Sequence, residues 1–175
     1  MAAGNTYEAI ATQTLGSAAA IVTFSSIPQT YTDLVLVTSL KSSATPTAYS
    51  PTMYFNGDTA KTNYSFTAMY GDGSGASGDV SFRWTTSTAT QHGVMATAVS
   101  ATNFNTGIIN IQNYSNTTTY KTALTRTNDP ANVVYATTGL WLSTSAITSL
   151  SLYAADGNKD FTIGSTFSLY GIKAA

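Results

Sequence analysis

The sequence predicts an all-β fold, an antiparallel β-sandwich formed by a single domain over 1–175, and three observations predict it. The chain has 32 Thr and 20 Ser, about 30% of its 175 residues, and β-branched Thr favours strands while Ser favours turns. Glu occurs once and Lys five times, so the residues that usually cover exposed helix faces are scarce. Short apolar or alternating runs recur between clusters of Gly, Pro, Asn, Asp and Ser, the pattern of a sandwich or barrel.

Taken in order, these runs predict twelve strands, and the length suits one domain. The predicted strands are Tyr7–Leu15, Ala20–Ser25, Asp33–Leu40, Thr52–Phe55, Tyr64–Tyr70, Val80–Trp84, Gly93–Ser100, Gly107–Tyr114, Tyr120–Thr127, Val133–Leu142, Ile147–Tyr153 and Phe161–Ile172. Asn56-Gly57 predicts a type I′ hairpin turn, because both central positions of that turn need a positive φ. Asp156-Gly157-Asn158 predicts a second hairpin turn between the last two strands.

Patterning within the runs predicts which faces are buried. Leu150 and Leu152 alternate with serines, so one face of that strand is expected in the core and the other in solvent. The run from Leu34 to Val37 is apolar on both faces. That strand is expected either between two layers or under a neighbouring subunit. Trp141 lies in an apolar strand and is predicted to belong to the core.

Composition excludes several classes of function. Seven basic residues against eight acidic ones leave no positive excess for nucleic-acid phosphates. Cysteine is absent, which removes disulfides, thiolate catalysis and cysteine zinc sites. The start of the sequence has no basic segment typical of a secretory signal, and no apolar run approaches the length of a membrane span. We therefore expect synthesis in a cytosol, with neither nucleic acid nor membrane as a partner.

No motif nominates a catalytic, cofactor or metal site. His92 is the only histidine, and no G-x-S-x-G sequence supplies a serine nucleophile for it. The acidic residues are scattered, so no pair of carboxylates is nominated for glycoside hydrolysis. The sequence predicts a protein that is not an enzyme and holds no cofactor or metal.

The low charge points to assembly instead. Charged residues make up 9% of the chain, against about 25% in an ordinary soluble domain. A surface of hydroxyls, amides and small apolar groups packs against another protein without a large charge-desolvation cost. The same surface would suit a polymer-binding module. Tyr70 and Tyr114, near loops, are the candidate rings for stacking on a glycan.

Several segments resemble small virion structural proteins of tailed bacteriophages. They are Ala20-Ile21-Val22-Thr23-Phe24-Ser25-Ser26-Ile27-Pro28 with the continuation Tyr31-Thr32-Asp33-Leu34-Val35-Leu36-Val37, then Phe55-Asn56-Gly57-Asp58, Asn63-Tyr64-Ser65 and Gly164-Ser165-Thr166-Phe167-Ser168-Leu169-Tyr170-Gly171-Ile172. The resemblance implies a jelly-roll-like sandwich located in the virion. It implies a head decoration (cement) protein or, alternatively, a tail fibre, tip or adaptor protein that binds a host receptor or glycan. The sequence shows no stalk repeats, which favours the head surface.

Under this interpretation the partners are the major capsid protein and further copies of the chain. Closed symmetric oligomers are the norm, and a trimer would match the local three-fold positions of a capsid lattice. The segment 1–16 is predicted to be either a lattice-contacting arm or a first edge strand. Tyr7, Ile10 and Leu15 are its candidate apolar anchors.

Overall fold

Two antiparallel β-sheets face each other across an apolar core, so the predicted all-β, jelly-roll-like sandwich is confirmed. The computed structural model describes residues 6–43, 51–71, 80–85, 94–95, 103–129, 133–154 and 159–173. Its strands are β1 (Tyr7–Thr14), β2 (Ile21–Phe24), β3 (Asp33–Leu40), β4 (Thr52–Phe55), β5 (Tyr64–Gly71), β6 (Val80–Thr85), β7 (Val94–Met95), β8 (Asn105–Gln112), β9 (Lys121–Asp129), β10 (Val133–Trp141), β11 (Leu150–Tyr153) and β12 (Thr166–Ile172).

The strand order explains the jelly-roll character. The large sheet runs β1-β12-β3-β8-β9-β10-β5-β6 and the small sheet β2-β11-β4-β7. Without the hairpins β5-β6 and β9-β10, the remaining eight strands, renumbered along the chain, pair as 1-8-3-6 and 2-7-4-5. This is the order of an eight-stranded jelly roll with two Greek keys. The two hairpins widen one sheet from four strands to eight.

Alternation along the strands builds the core between the sheets. In the small sheet Phe24, Leu150 and Phe55 lie in register across three strands. On the large sheet, β3, β8 and β12 contribute six fully buried side chains to this core: Leu34, Leu36, Ile109, Ile111, Phe167 and Leu169. Burying each side chain of this size contributes roughly 1.5–3 kcal/mol. The predicted core residue Trp141 belongs to the same cluster.

The predicted strands agree with the structure except at some ends. β11 begins at Leu150 rather than Ile147, because the N–H of Ile147 is held by the carbonyl of Tyr114 at 2.8 Å. β12 begins at Thr166, and Phe161 instead forms isolated bridges to Ala19 and Ser42. Of the strand predicted over 93–100, the structure describes only the two residues of β7. In the described part of the chain the helical element is a three-residue 3-10 turn, far too short to cross a membrane.

Both hairpin predictions are wrong, because neither connection joins two strands of the same sheet. Asn56 and Gly57 have φ values of 52° and 70°, as a type I′ turn requires. The turn nevertheless joins β4 of the small sheet to β5 of the large one. The Asn56 side chain fixes this crossing, because its Oδ1 accepts the N–H of Thr148 at 2.8 Å and its Nδ2 donates to the carbonyl of Ala146 at 2.8 Å. Residues 156–158 lie outside the described residues, but β11 and β12 belong to opposite sheets, so the connection between them is not a hairpin.

The apolar run in β3 has a specific place in this architecture. Leu34 and Leu36 point into the core and are fully buried. Val35 and Val37 lie on the outer face of the large sheet, where Val35 is buried and Val37 is 39% exposed. β3 therefore packs against one described layer rather than between two. Cover by a neighbouring subunit, the other expectation for this strand, stays a prediction.

Candidate interaction surface

The described residues offer no cluster typical of a metal or catalytic centre. No group of three or more His, Cys, Asp or Glu side chains lies close enough together in the described part of the chain to hold a metal ion. Glu8 and Lys173 form an ion pair at 2.6 Å across the β1–β12 edge, and the hydrogen bond from Lys173 lowers the pKa of Glu8. Both side chains are about half exposed, so the pair adds little stability. His92 lies outside the described residues.

Among the carboxylates that the structure describes, Asp58 has the most hydrogen-bond partners. Its Oδ2 accepts hydrogen bonds from Trp141 Nε1 at 2.8 Å and Asn63 Nδ2 at 2.8 Å, and its Oδ1 accepts the N–H of Ala60 at 3.0 Å. Burial raises the pKa of Asp58, but these hydrogen bonds outweigh it and hold the pKa below its usual value. Tyr64 donates to the Asp58 carbonyl at 2.8 Å. The group fixes the crossing from β4 to β5, so these bonds give the carboxylate a structural role.

Lys121 is a buried lysine whose amine is held by backbone carbonyl groups. Its side chain is fully buried, and its Nζ donates to the carbonyl oxygens of Thr119 at 2.7 Å and Thr144 at 3.2 Å. Burial lowers the pKa of its amine. The two acceptors belong to the β8–β9 and β10–β11 connections. Lys121 therefore ties two loops together at one end of the sheet.

The outer face of the large sheet, in contrast, exposes large apolar side chains. Val37 and Ile108 are each 39% exposed, Met69 is 58% exposed and Val134 is 62% exposed. Val37 and Ile108 are register partners on adjacent strands. One row of register partners crosses six strands: Ser168, Val37, Ile108, Arg126, Ala136 and Met69. Four strands therefore contribute exposed apolar groups to this face, with Arg126 and Ala136 lying between Ile108 and Met69.

This surface is grooved. A depression of about 770 Å³ lies over β12, β3, β8, β9, β10 and β5. Its floor consists of the row just named and of the next outward-facing row, which contains Thr166, Ser39, Thr106, Asn128, Val134 and Gly71. At a strand spacing of about 4.8 Å, six strands give it a length of roughly 24 Å. We call this feature the outer groove. A second, smaller depression of about 400 Å³ continues it over Leu124 and Thr138.

Arg126 is the single charged residue of the lining described for the outer groove. It is exposed, and its register partners are Ile108 and Ala136. Among the residues that the structure describes, the only ion pair is Glu8–Lys173, so Arg126 has no carboxylate partner there. The rest of the lining consists of Thr, Ser, Asn, Tyr and Gly residues and apolar side chains. The groove therefore presents one guanidinium group surrounded by neutral groups.

The three anchors predicted in the N-terminal segment are separated by the structure. Tyr7–Thr14 is β1, the edge strand of the large sheet, paired with β12. Tyr7 is 60% exposed, whereas Ile10 and Leu15 are partly buried and pack against the core. Leu15 also exchanges backbone hydrogen bonds with the segment just before β12. Tyr7 is thus accessible to a partner, and a lattice contact by this segment stays a prediction.

The two rings proposed for glycan stacking have different environments, and stacking by Tyr70, which lines the outer groove, stays a prediction. Tyr114 as a stacking ring is wrong, because it is fully buried and its hydroxyl donates to the carbonyl of Pro28. It is the second residue after β8, and its ring belongs to the core cluster. Tyr70 is half-buried and contacts Tyr135 with ring centroids 5.3 Å apart.

Sequence reasoning did not identify the outer groove. Its residues come from six strands whose order a single sequence does not contain. A partial signal is present, since Ile108-Ile109, like the run from Leu34 to Val37, is apolar on both faces of its strand. Nothing comparable in the sequence marks Arg126 as part of this surface. The chain matches no protein-family profile, no characterised protein and no solved structure.

Proposed function

We propose that the protein is a non-enzymatic structural component of a tailed-phage virion, a head decoration protein that binds the outer surface of the capsid lattice and stabilises contacts between capsomers. The single observation that carries the proposal is the exposed apolar outer face of the large sheet. Large apolar side chains gathered on one face of a sheet among polar groups are a feature of protein–protein interfaces.

The chemistry of the surface supports the same role. Hydroxyl and amide side chains surround the apolar groups, and charged residues are 9% of the chain. Docking such a face removes few ions from water, so little of the contact energy is lost to desolvation. The resemblance to virion structural proteins supports a position in the particle, and the sandwich fold supports a compact stud on its surface.

Self-association belongs to the proposal as well. Trimers would place one copy beside each capsomer that meets at a local three-fold position. Tyr7, exposed on edge strand β1, is a candidate contact residue for the capsid protein or for another copy of the chain. Deleting 1–16 would remove β1 and uncover the hydrogen-bonding edge of β12. The substitution Tyr7→Ser tests the contact without that damage.

The deciding experiment locates the protein on intact particles. Immunogold labelling is expected on heads, at about one copy per capsid subunit, and purified protein is expected to rebind particles that lack it. Label confined to tails, or glycan binding by the purified protein, would establish the receptor-binding alternative instead. Absence of label from both heads and tails would contradict the proposal and its alternative together.

A further inference from the structure

We infer that the outer groove binds an extended segment of the capsid protein that carries an Asp or Glu between apolar side chains, with Arg126 as the specificity-determining contact to that carboxylate. This inference rests on the proposed function, and it names the chemistry of the partner surface. It is argued from the apolar walls of the groove, from its dimensions, and from the Arg126 guanidinium, which has no carboxylate partner among the described residues.

Arg126, which has no carboxylate partner in the described part of the chain, determines the sign of the charge that the partner must carry. Arg126 lies in the central strands of the row, between Ile108 and Ala136. A partner that covers this row removes the guanidinium from water. Leaving that ion without a counter-charge is costly, whereas a carboxylate can accept two parallel hydrogen bonds from a guanidinium. An anionic oxygen pair opposite Arg126 is therefore required for tight contact.

The flanking side chains determine what surrounds the carboxylate. Val37 and Ile108 lie on one side of Arg126, and Met69 lies beyond Ala136 on the other. These groups are aliphatic or thioether chains, which pack well against aliphatic side chains. A segment with apolar residues on both sides of its acid matches this order.

The dimensions fit an extended segment. The groove is roughly 24 Å long across the strands and two outward rows wide. At about 3.3 Å per residue, roughly seven extended residues span it. Such a segment crosses the strands of the large sheet, so side-chain contacts and the Arg126 ion pair supply its specificity.

A second copy of the chain fits less well. Two copies related by a two-fold axis through the groove would bring two Arg126 side chains into one interface. The described lining contains no Asp or Glu to neutralise either of them. Like charges facing each other in an interface oppose association. A face-to-face dimer is therefore not the occupant that the groove favours.

The test measures binding of the full chain to heads that lack it, for wild type, Arg126→Glu, Arg126→Gln and Lys61→Glu. Lys61 is exposed in the turn before β5, at the end of that strand away from the groove, so Lys61→Glu makes the same charge change elsewhere. We expect Arg126→Glu to bind at least about 30-fold more weakly, and Lys61→Glu to bind as wild type does. Arg126 is exposed, so both Arg126 variants are expected to unfold at the wild-type temperature, which shows that they are folded.

The partner segment is then identified directly. A photo-reactive amino acid at Met69 is expected to cross-link to a capsid-protein peptide that contains Asp or Glu. Replacing that acid by Arg in the capsid protein should restore binding of Arg126→Glu. Equal binding of wild type and both Arg126 variants would overturn the inference while leaving the proposed function intact. Cross-linking to another copy of the chain, or to a peptide without an acid, would overturn it in the same way. Failure of the wild-type chain to bind heads would reject both.

Discussion

The two faces of the large sheet are built from the same strands, yet neighbouring residues have opposite environments. Leu36 and Ile109 are fully buried against the small sheet, while the adjacent Val37 and Ile108 are 39% exposed on the other side. All four are aliphatic. Burial of the first two is explained by the fold of one chain, and the apolar character of the other two is not. The comparison shows that the inner face stabilises the fold and the outer face is available for a partner.

The largest effect is expected from an inner-face deletion. Leu36→Ala removes a fully buried side chain from the centre of the core, and this should lower the free energy of unfolding by about 2–5 kcal/mol. Urea denaturation of the isolated protein measures it. A loss below about 1 kcal/mol would mean that the inner face is loosely packed, contrary to this account.

A substitution at Gly171, on the inner face of the large sheet, also tests how tightly that face is packed. Gly171 in β12 lies under the ring of Tyr31, and an added Cβ would overlap that ring. Gly171→Ala should therefore cost about 1–3 kcal/mol, because the ring has to move. Thermal unfolding measures the loss. The double variant with Tyr31→Ala should show a smaller cost for the added methyl group than Gly171→Ala alone, and equal costs would contradict the steric explanation.

A substitution at Asp58 tests the contribution of the hydrogen bonds that fix the crossing from β4 to β5. Asp58→Asn weakens the bonds to Trp141 and Asn63, and the expected loss is about 1–2 kcal/mol at neutral pH. The folded-state pKa of Asp58 is lowered, so its contribution is present above the unfolded value of about 3.9 and disappears as the pH falls through the folded-state pKa. Urea titrations between pH 7 and pH 2 should show a smaller acid-induced loss in the variant. An identical loss in both proteins would show that Asp58 does not contribute.

The smallest effect on stability is expected on the outer face. Ile108→Ala and Val37→Ala remove side chains that are 39% exposed, so each should lower the free energy of unfolding by only about 1 kcal/mol. The same variants should weaken binding to heads, because they remove apolar walls of the outer groove. A large loss of stability with unchanged binding would reverse the assignment of the two faces.

Sequence reasoning succeeded where the information is local. Alternation in segments such as Leu150–Tyr153 places one face inward, and Asn56-Gly57 specifies its own turn geometry. It failed where strand partners lie far apart along the chain. Asn56-Gly57 predicts a hairpin because these residues favour the dihedral angles of a type I′ turn, whereas the sheets to which β4 and β5 belong depend on long-range pairing. The outer groove needs the register of six strands, so Arg126 and Met69 are brought into one row only by the fold.

The most direct test of the outer face as a docking surface uses the absence of cysteine from the chain. Ile108→Cys places a single thiol in the outer groove, and Thr23→Cys places one on the exposed face of the small sheet. Maleimide should label both variants in the free protein. After rebinding to heads, the account predicts that the Ile108→Cys thiol is protected while the Thr23→Cys thiol reacts as before. Undiminished labelling of Ile108→Cys on decorated heads would contradict it.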